Sequence, residues 1–326
     1  MILTVTLNPS LDRTIEVASL EPGAVNRALR TRLDPGGKGV NVTRALLANG
    51  HDSRAVVPLG GPDGAQLLAL LEAERVLVSS VPVAGHTRSN VTVAEPDGSV
   101  TKLNEPGASL TPAELETLTG LVLELSAPGD WVVLCGSLPP GVDEGEYAAM
   151  TRLLRGSGRR VAVDTSGPAL RHAVEARPEL VKPNREELTE VVGRELSCLA
   201  DVLAAAHEIH ERGVEHVLVS LGADGAALVG PGEGPDLVGT SFVADPRSTV
   251  GAGDAFLAGY LSALSTPADP SPGADGRALA LRTALAWGAA AVRLPGSVMP
   301  TPTDIDLSAA EILTAPDLQH PLAPAS

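Results

Sequence analysis

The sequence predicts an α/β fold with a mostly parallel β-sheet and a second, smaller β-layer. Short apolar runs alternate along the chain with segments of helical period, which is the pattern of strands buried between two layers of helices. Two other stretches alternate polar and apolar residues, which is typical of strands with one exposed face. No internal repeat is present, so the 326 residues are expected to form a single domain.

The larger sheet is predicted from five apolar runs, over residues 2–7, 55–59, 131–134, 161–163 and 217–221. Helical periodicity predicts helices over residues 40–48, 64–72, 112–125, 143–154, 185–192, 199–211 and 253–264. Because strands alternate with helices, neighbouring strands are expected to be parallel. Ligands of such sheets bind beyond the carboxyl ends of the strands, so loops at that edge are the first place to look for a site.

The smaller β-layer is predicted from residues 12–34 and 86–105, inserted into the core at two points. In the second segment, polar and apolar residues alternate from Arg88 to Glu95, and Pro96-Asp97-Gly98 supplies a hairpin turn. Residues 267–276 are rich in Pro, Gly and Asp and are expected to form a loop. Residues 315–326 are expected to be a loose tail.

Composition and charge exclude several classes of function. The formal net charge of −16 argues against nucleic acid or an anionic membrane as a partner, since both require a positive field. No apolar stretch approaches the roughly 20 residues of a membrane-spanning helix. The N-terminal segment lacks a basic start and a long apolar run, so we expect a cytoplasmic protein in which Cys135 and Cys198 form no disulfide.

Lysine is rare in this chain. Of the 24 basic residues only Lys38, Lys102 and Lys182 are lysines. Where arginine is so strongly preferred, a retained lysine indicates a site that needs a compact point charge instead of a planar guanidinium. Lys38 and Lys182 both lie in motifs that carry chemistry.

The first motif is Ser248-Thr249-Val250-Gly251-Ala252-Gly253-Asp254, which leads into a predicted helix. Small residues at a helix N-terminus let backbone N–H groups approach an anion. Asp254 lies in the first turn, where it could accept a proton from an attacking hydroxyl group. Phosphoryl transfer needs both features. The alternative is an ordinary N-capping aspartate after a glycine turn.

The second motif, Gly36-Gly37-Lys38-Gly39-Val40-Asn41, is a glycine-rich loop that enters a helix. It lacks the spacing of a P-loop. The glycines allow a ligand to approach closely, Lys38 could bind an anion, and the amide of Asn41 could donate to and accept from sugar hydroxyls. A plain turn with a surface lysine is the alternative.

Two further motifs follow. Lys182-Pro183-Asn184 precedes a helix with Glu187 three residues after Asn184, which also fits a simple capping box. Residues 220–225 place two glycines after a strand, where backbone N–H groups could hold phosphates, although a hairpin has the same pattern. Neither this segment nor residues 60–64 has the dinucleotide fingerprint, which counts against a dehydrogenase.

Together, Gly-Gly-Lys-Gly-x-Asn, Lys-Pro-Asn-x-x-Glu and Thr-x-Gly-Ala-Gly-Asp resemble the ribokinase-like (PfkB) carbohydrate kinases, from about residue 6 to residue 296. Residues 101–107 and 135–141 resemble the branch that acts on phosphorylated sugars. The resemblance implies a three-layer α/β core with a β-sheet lid, and transfer of phosphate from MgATP to fructose 1-phosphate. Tagatose 6-phosphate and fructose 6-phosphate are the alternative acceptors. A catalytically silent nucleotide-binding regulator is the remote alternative, and the intact Asp254, Lys182 and Glu187 argue against it.

The resemblance also implies residue roles. Asp254 is expected to be the base and Gly251, Ala252 and Gly253 the anion hole. The sugar is expected to contact Asp12, Gly37, Asn41 and Ser137, with its phosphate facing Lys38, Arg88 and, as a weaker candidate, Arg27. The nucleotide is expected along Lys182, Asn184, Ser220, Gly222, Gly225 and Thr249. Glu187, with Asn184, is expected to position Mg²⁺ through water. The lid is expected to exclude water and to form the contact of a homodimer.

Overall fold

The computed structural model describes residues 1–231, 234–265 and 274–323. Its helices are α1 (Lys38–Ala48), α2 (Gly61–Ala73), α3 (Pro112–Leu125), α4 (Glu146–Gly156), α5 (Gly167–Glu175), α6 (Arg185–Val192), α7 (Leu199–Glu211), α8 (Ala252–Ser265) and α9 (Ala274–Val292). Its strands are β1 (Ile2–Thr6), β2 (Ser10–Val17), β3 (Ala28–Gly36), β4 (Ser53–Leu59), β5 (Val78–Pro82), β6 (Arg88–Ala94), β7 (Val100–Asn104), β8 (Trp131–Cys135), β9 (Arg160–Asp164), β10 (Leu180–Val181), β11 (His216–Ser220), β12 (Ala226–Val229), β13 (Leu237–Ser241) and β14 (Ala310–Ile312).

The larger sheet has ten strands in the order β14-β13-β12-β11-β10-β9-β8-β1-β4-β5. The seven strands from β5 to β11 are parallel, whereas β12, β13 and β14 add to the far edge in antiparallel pairs. Alternate residues of each central strand face opposite helix layers. In β8, for example, Val132 and Leu134 pack with helices α3 to α7, and Trp131 and Val133 pack with α1, α8 and α9. The predicted three-layer α/β fold is confirmed.

The smaller sheet has four strands in the order β3-β2-β6-β7. Strand β2 pairs antiparallel with β3 and parallel with β6, and β6 and β7 form the hairpin. Its residues are mostly half-buried or exposed, in contrast to the buried strands of the larger sheet. The chain therefore passes from β1 into the smaller sheet and returns through α1, which places the Gly36–Lys38 segment at the junction of the two sheets.

The predicted strands and helices are confirmed to within a few residues, and the sequence reasoning missed the helices α5 and α9 and the strands β5, β10, β13 and β14. The predicted loop at residues 267–276 falls mostly outside the described residues, and residues 274–276 begin α9. The prediction of a loose tail is wrong up to residue 323, because the main chain of this segment hydrogen-bonds to the start of α7, to the start of α6 and to the turn that contains Asp224. Within the described ranges, no helix is both long and apolar enough to cross a membrane.

Candidate active site

The carboxyl edge of the larger sheet brings together polar residues from four neighbouring strands. Strand register makes Thr6, Cys135 and Asp164 partners across β1, β8 and β9. Val163 pairs with Val181 at the end of β10, so Lys182 emerges beside Asp164. The apolar strands thus deliver a carboxylate and an ammonium group side by side at the edge where ligands of parallel sheets bind.

Asp164 is the centre of this cluster, and the sequence reasoning missed it. It is 1% exposed, with Lys38 Nζ 2.8 Å from its Oδ1 and Lys182 Nζ 3.4 Å from its Oδ2. Burial alone would raise the pKa of Asp164, but the charges of Lys182 and Lys38 outweigh it and lower this pKa. The signal available in the sequence was a carboxylate ending an otherwise apolar strand, Arg-Val-Ala-Val-Asp.

Lys38 is the first residue of α1, directly after Gly37, whose φ of 117° is a conformation that favours glycine. Its ammonium also lies 3.3 Å from Glu187 Oε1. Burial disfavours the charged form, but Asp164 and Glu187 more than compensate and raise the pKa of Lys38. The sequence prediction placed Lys38 against the phosphate of the sugar. In this structure its ammonium group is paired with the buried carboxylate of Asp164 and the partly buried carboxylate of Glu187.

Asp254 lies in the first turn of α8 and is 7% exposed. Asn41 Nδ2 donates to its Oδ2 at 2.9 Å, and Arg44 in turn donates to Asn41 Oδ1 at 3.1 Å, which fixes the orientation of the amide. Burial, and then the negative charge of Asp164, raise the pKa of Asp254 to about 6. A carboxylate of this kind is ionised at neutral pH and basic enough to accept a proton.

Backbone conformation and close packing restrict the turn before α8 to small residues. Gly251 has a φ of 78°, a conformation that L side chains rarely adopt, and a Cβ on it would lie 2.7 Å from Met299 Cε. A Cβ added to Gly253 would lie 3.7 Å from Lys182 Nζ, so this ammonium faces the first turn of α8. Thr249 accepts a hydrogen bond from the N–H of Ala252 at 3.3 Å. The ammonium group of Lys182 and the N-terminus of α8 therefore both present positive charge to the space beside Gly253.

Asn184 and Glu187 form the capping box that the sequence left open as an alternative. Asn184 Oδ1 accepts from Glu187 N at 2.7 Å, and Glu187 Oε2 accepts from Asn184 N at 2.9 Å. Glu187 Oε1 remains directed at Lys38. Among the residues that the structure describes, no group of three or more His, Cys, Asp or Glu side chains could hold a metal ion. One carboxylate with a partly free oxygen suits only an ion that keeps most of its water, as Mg²⁺ does.

The glycine turn at residues 222–225 follows β11 and is a short 3₁₀ turn between antiparallel strands β11 and β12. Ser220 and Asn184 form an isolated parallel β-bridge, and the N–H of Ser220 donates to the carbonyl oxygen of Pro183 at 3.1 Å. Gly225 is tightly placed, since a Cβ there would lie 2.1 Å from the carbonyl oxygen of Gly239. The turn and the start of α6 are therefore neighbours along the same edge of the sheet.

The smaller sheet contributes Asp12 and Arg88. Asp12 Oδ1 accepts from Ser10 Oγ at 2.7 Å and from Asn90 Nδ2 at 3.1 Å, and burial raises the pKa of this carboxyl group. Its other oxygen faces Gly36, where a Cβ would lie 2.4 Å away. The sequence reasoning missed Asn90, although it stands two residues after Arg88 on the same face of β6.

Arg88 is half-buried and, among the described residues, has no ion pair. Its Nη1 donates to the carbonyl oxygen of Glu105 at 3.4 Å, and its buried Nε has no hydrogen-bond partner. Burial lowers the pKa of Arg88, which remains a cation. Ser137 Oγ lies 3.4 Å from Asn8 Nδ2 at the junction of the two sheets. Arg27 is exposed just before β3, and its side chain bonds to nothing in the described part of the chain.

The predicted site residues thus form two groups. Lys38, Asn41, Lys182, Glu187 and Asp254 are linked, directly or through Asp164, into one charged cluster on the larger sheet. Asp12 and Arg88 lie on the smaller sheet with Asn90, and Arg27 stands apart. The arrangement offers a buried base, two ammonium groups and a helix N-terminus on one side, and a cation with free donors on the other.

Comparison with known proteins gives a consistent result. A family model described as pfkB family carbohydrate kinase matches residues 5–304. A 1-phosphofructokinase of Rhodobacter capsulatus is 45% identical over 272 residues, covering 82% of this chain and 85% of the relative. An ATP-dependent 6-phosphofructokinase isozyme 2 of Mycobacterium tuberculosis is 39% identical over 266 residues, covering 81% and 78%. The crystal structure of Escherichia coli phosphofructokinase-2 in complex with substrates and products superposes with a TM-score of 0.85 at 35% identity, covering 93% of this chain and 96% of that one.

Proposed function

The chain belongs to the pfkB family of carbohydrate kinases, and we propose that it transfers the γ-phosphoryl group of MgATP to the 6-hydroxyl group of fructose 1-phosphate. The products are fructose 1,6-bisphosphate and ADP. The observation that carries the chemical step is the buried Asp254 in the first turn of α8, with a pKa near 6 and its orientation fixed by Asn41. Identity of 34–45% to several relatives named 1-phosphofructokinase supports the choice of acceptor.

In the proposed reaction, Asp254 accepts the proton of the attacking hydroxyl group. The backbone N–H groups of Gly251 and Gly253, with that of Ala252 in exchange for its 3.3 Å bond to the carbonyl oxygen of Thr249, stabilise the charge that develops on the transferred phosphoryl group. Lys182 faces this turn, and Lys38 is close enough to Asp254 for each charge to affect the other's pKa. We therefore assign Lys38 to the phosphoryl group in transit, in place of its sequence-based assignment to the phosphate of the sugar.

The nucleotide is proposed to lie along the edge formed by Lys182, Asn184 and the glycine turn, with Ser220, Gly222, Gly225 and Thr249 as its contacts. Glu187, with Asn184, would hold Mg²⁺ through water, and the ion would neutralise phosphate charge when bound. This assignment of Mg²⁺ rests on Glu187 Oε1, which accepts one long hydrogen bond of 3.3 Å from Lys38 Nζ and can still accept from a water molecule of the ion.

The phosphate already on the sugar is proposed to bind Arg88, with Arg27 as a weaker candidate. Support comes from the unpaired guanidinium of Arg88 and its unsatisfied Nε, which a phosphate oxygen would satisfy. Asp12, Gly37, Asn41 and Ser137 are proposed to contact the sugar. The smaller sheet would then act as a lid that excludes water during transfer.

Fructose 6-phosphate is the second candidate acceptor, because the relative from M. tuberculosis is a 6-phosphofructokinase. The test is kcat/KM, measured by ADP release, for fructose 1-phosphate, fructose 6-phosphate, tagatose 6-phosphate and free fructose. We expect fructose 1-phosphate to be best and free fructose to be poorest. A best rate with free fructose would overturn the phosphosugar assignment, whereas a best rate with another phosphosugar would replace only the acceptor.

We also propose that the protein is cytoplasmic, where ATP is supplied, and that it forms a homodimer. The dimer contact would be made by the smaller sheet. Apolar side chains on both outer strands of that sheet support it, since Leu29 is 69% exposed and Leu103 is 62% exposed. Sedimentation equilibrium should give twice the chain mass, and Leu103→Lys should give the mass of one chain. A monomeric wild-type protein at micromolar concentration would rule the dimer out.

A further inference from the structure

The C-terminal strap, defined as residues 317–323, lies beyond residue 304, where the match to the family model ends. It runs along the start of α7, where Leu318 accepts from the N–H of Ala200 at 2.8 Å and Leu322 donates to Ser197 at 3.1 Å. Pro321 forms an antiparallel bridge with Cys198, and the side chain of Leu322 packs against the main core. These contacts fix the strap to the body of the protein.

The last described residue of the strap joins the glycine turn to the start of α6. The N–H of Ala323 donates to Asp224 Oδ2 at 2.8 Å, and its carbonyl oxygen accepts from Arg185 Nη1 at 2.6 Å. Asp224 belongs to the glycine turn, 99 positions earlier in the chain, and Arg185 is the first residue of α6. One residue, through main-chain atoms alone, therefore connects the turn to the helix start.

The glycine turn and the start of α6 both carry residues of the proposed nucleotide site. Asp224 lies between Gly222 and Gly225, and Arg185 follows Asn184. Residues 222 and 223 of the turn are exposed, so packing and strand pairing restrain the turn at its base, at Ser220 and Gly225, and not at its tip. A backbone that must present N–H groups to phosphates works best when its position is fixed before the ligand arrives.

We propose that the C-terminal strap is a positioning element for the nucleotide, which holds the glycine turn against the start of α6 through Ala323. The proposal rests on the proposed function, because it assumes that ATP lies along this edge. The strap itself does not contact ATP in this proposal and acts only through the glycine turn. The strap instead lowers the entropic cost of ordering the turn when the nucleotide binds. Its loss should therefore weaken binding of the nucleotide and leave binding of the sugar unchanged.

The experiment is a double-mutant cycle in the full chain. Asp224→Ala removes the acceptor and Ala323→Pro removes the donor, while Asp224→Asn and Ala323→Ser keep an acceptor and a donor as matched controls. Each disruptive variant should raise the KM for ATP about three- to tenfold, the range expected for one hydrogen bond. The double variant should be no worse than the more affected single variant, because both changes remove the same bond. The KM for fructose 1-phosphate and the kcat at saturating ATP should stay within about twofold of wild type.

Calorimetric binding of ADP is the second readout, and it needs no sugar. If the wild-type protein phosphorylates none of the four sugars, the proposed function fails, and the Kd for ADP still tests the strap. The proposal is overturned if the KM values for both substrates rise together, if the two single effects simply add, or if nucleotide affinity is unchanged while the melting temperature falls.

Discussion

The two sides of the candidate site differ in how their charges are satisfied. On the larger sheet, Lys38 and Lys182 are both paired with the fully buried Asp164. On the smaller sheet, Arg88 has no ion pair among the described residues, and the buried Arg88 Nε and Asn90 Oδ1 have no hydrogen-bond partner. Removing one partner of a buried pair leaves an uncompensated charge, whereas an unsatisfied group costs stability until a ligand satisfies it.

This contrast separates two tasks. The larger sheet holds a preorganised charge cluster in which Asp164 and the two lysines stabilise each other in the free protein, so the loss of Asp164 should destabilise the fold. The smaller sheet holds polar groups that have no partner in the free protein and that a bound ligand would satisfy. Changes there should therefore affect substrate affinity and leave the fold intact. Each prediction below tests one side of this contrast.

The largest effect is expected at Asp254. Asp254→Asn should lower kcat about 10²- to 10⁴-fold, because the hydroxyl group loses its proton acceptor. Both KM values should change little, and the free energy of unfolding above pH 6 should rise by on the order of 1–3 kcal/mol, since a carboxylate with a raised pKa costs stability when ionised. Asp245→Asn, at an exposed aspartate earlier in the same part of the chain, is the matched control. A variant that kept more than about a tenth of kcat would exclude Asp254 as the base.

An aspartate-to-asparagine change should have opposite effects on protein stability when it is made on the larger sheet, at Asp164, and on the smaller sheet, at Asp12. Asp164→Asn should reduce the free energy of unfolding at pH 7 by about 3–5 kcal/mol, because it leaves two lysines without their shared carboxylate. Asp12→Asn should be neutral or stabilising, because burial raises the pKa of Asp12 and the ionised form therefore costs stability above that pKa. Urea denaturation of both variants measures the difference. Equal losses would abolish the contrast between the sheets.

Arg88→Met should act on affinity alone. The KM for fructose 1-phosphate should rise about 10- to 100-fold, as expected for the loss of a partly desolvated charge pair with phosphate. The melting temperature should stay the same or rise, because the variant removes a buried donor that has no partner in the free protein. Activity toward free fructose should not fall. Arg27→Met is the comparison variant and should have the smaller effect. A lower melting temperature with an unchanged KM would make Arg88 a structural residue.

The sequence predicted the parts of the site that depend on local pattern. The glycine turn before Asp254, the loop with Lys38 and Asn41, and the capping box at Asn184 each occupy a few consecutive residues, and the structure places each at a helix start. Apolar runs likewise predicted five of the seven parallel strands, all but β5 and β10. These features arise from short-range chemistry, and short-range chemistry can be read from one sequence.

What the sequence did not reveal depends on register and packing between distant segments. Asp164 meets Lys38 across 126 positions. The pairing of β1, β8 and β9, with the start of α1 held to β1 by the hydrogen bond from Thr4 Oγ1 to the carbonyl oxygen of Gly39, brings them together. The partner of Lys38 was therefore not predictable from its own loop. The C-terminal strap is a similar case, because its composition resembles a tail and only its contacts with Ser197, Ala200 and Asp224 order it.

The acid limb of the rate profile tests the charge cluster in the wild-type protein. Asp254 must be ionised to accept a proton, so kcat should fall about tenfold per pH unit below about pH 6 and level off above it. The phosphate of the sugar also titrates near pH 6. Asp254→Asn separates the two, since its residual rate should lose the acid limb. An acid limb that persists in the variant would belong to the substrate.

The smallest effect is expected at Glu187, which joins the charge cluster to the start of α6. Glu187→Gln should raise the Mg²⁺ concentration needed for half-maximal rate by a few-fold, because it removes the charge beside Lys38 that would hold the ion through water. The melting temperature should barely change, since glutamine can replace glutamate in a capping box and still accept from Asn184 N. Glu186→Gln is the matched control, one residue earlier and 51% exposed. A loss of about 0.5–2 kcal/mol in stability with an unchanged Mg²⁺ requirement would leave Glu187 only its role in the capping box.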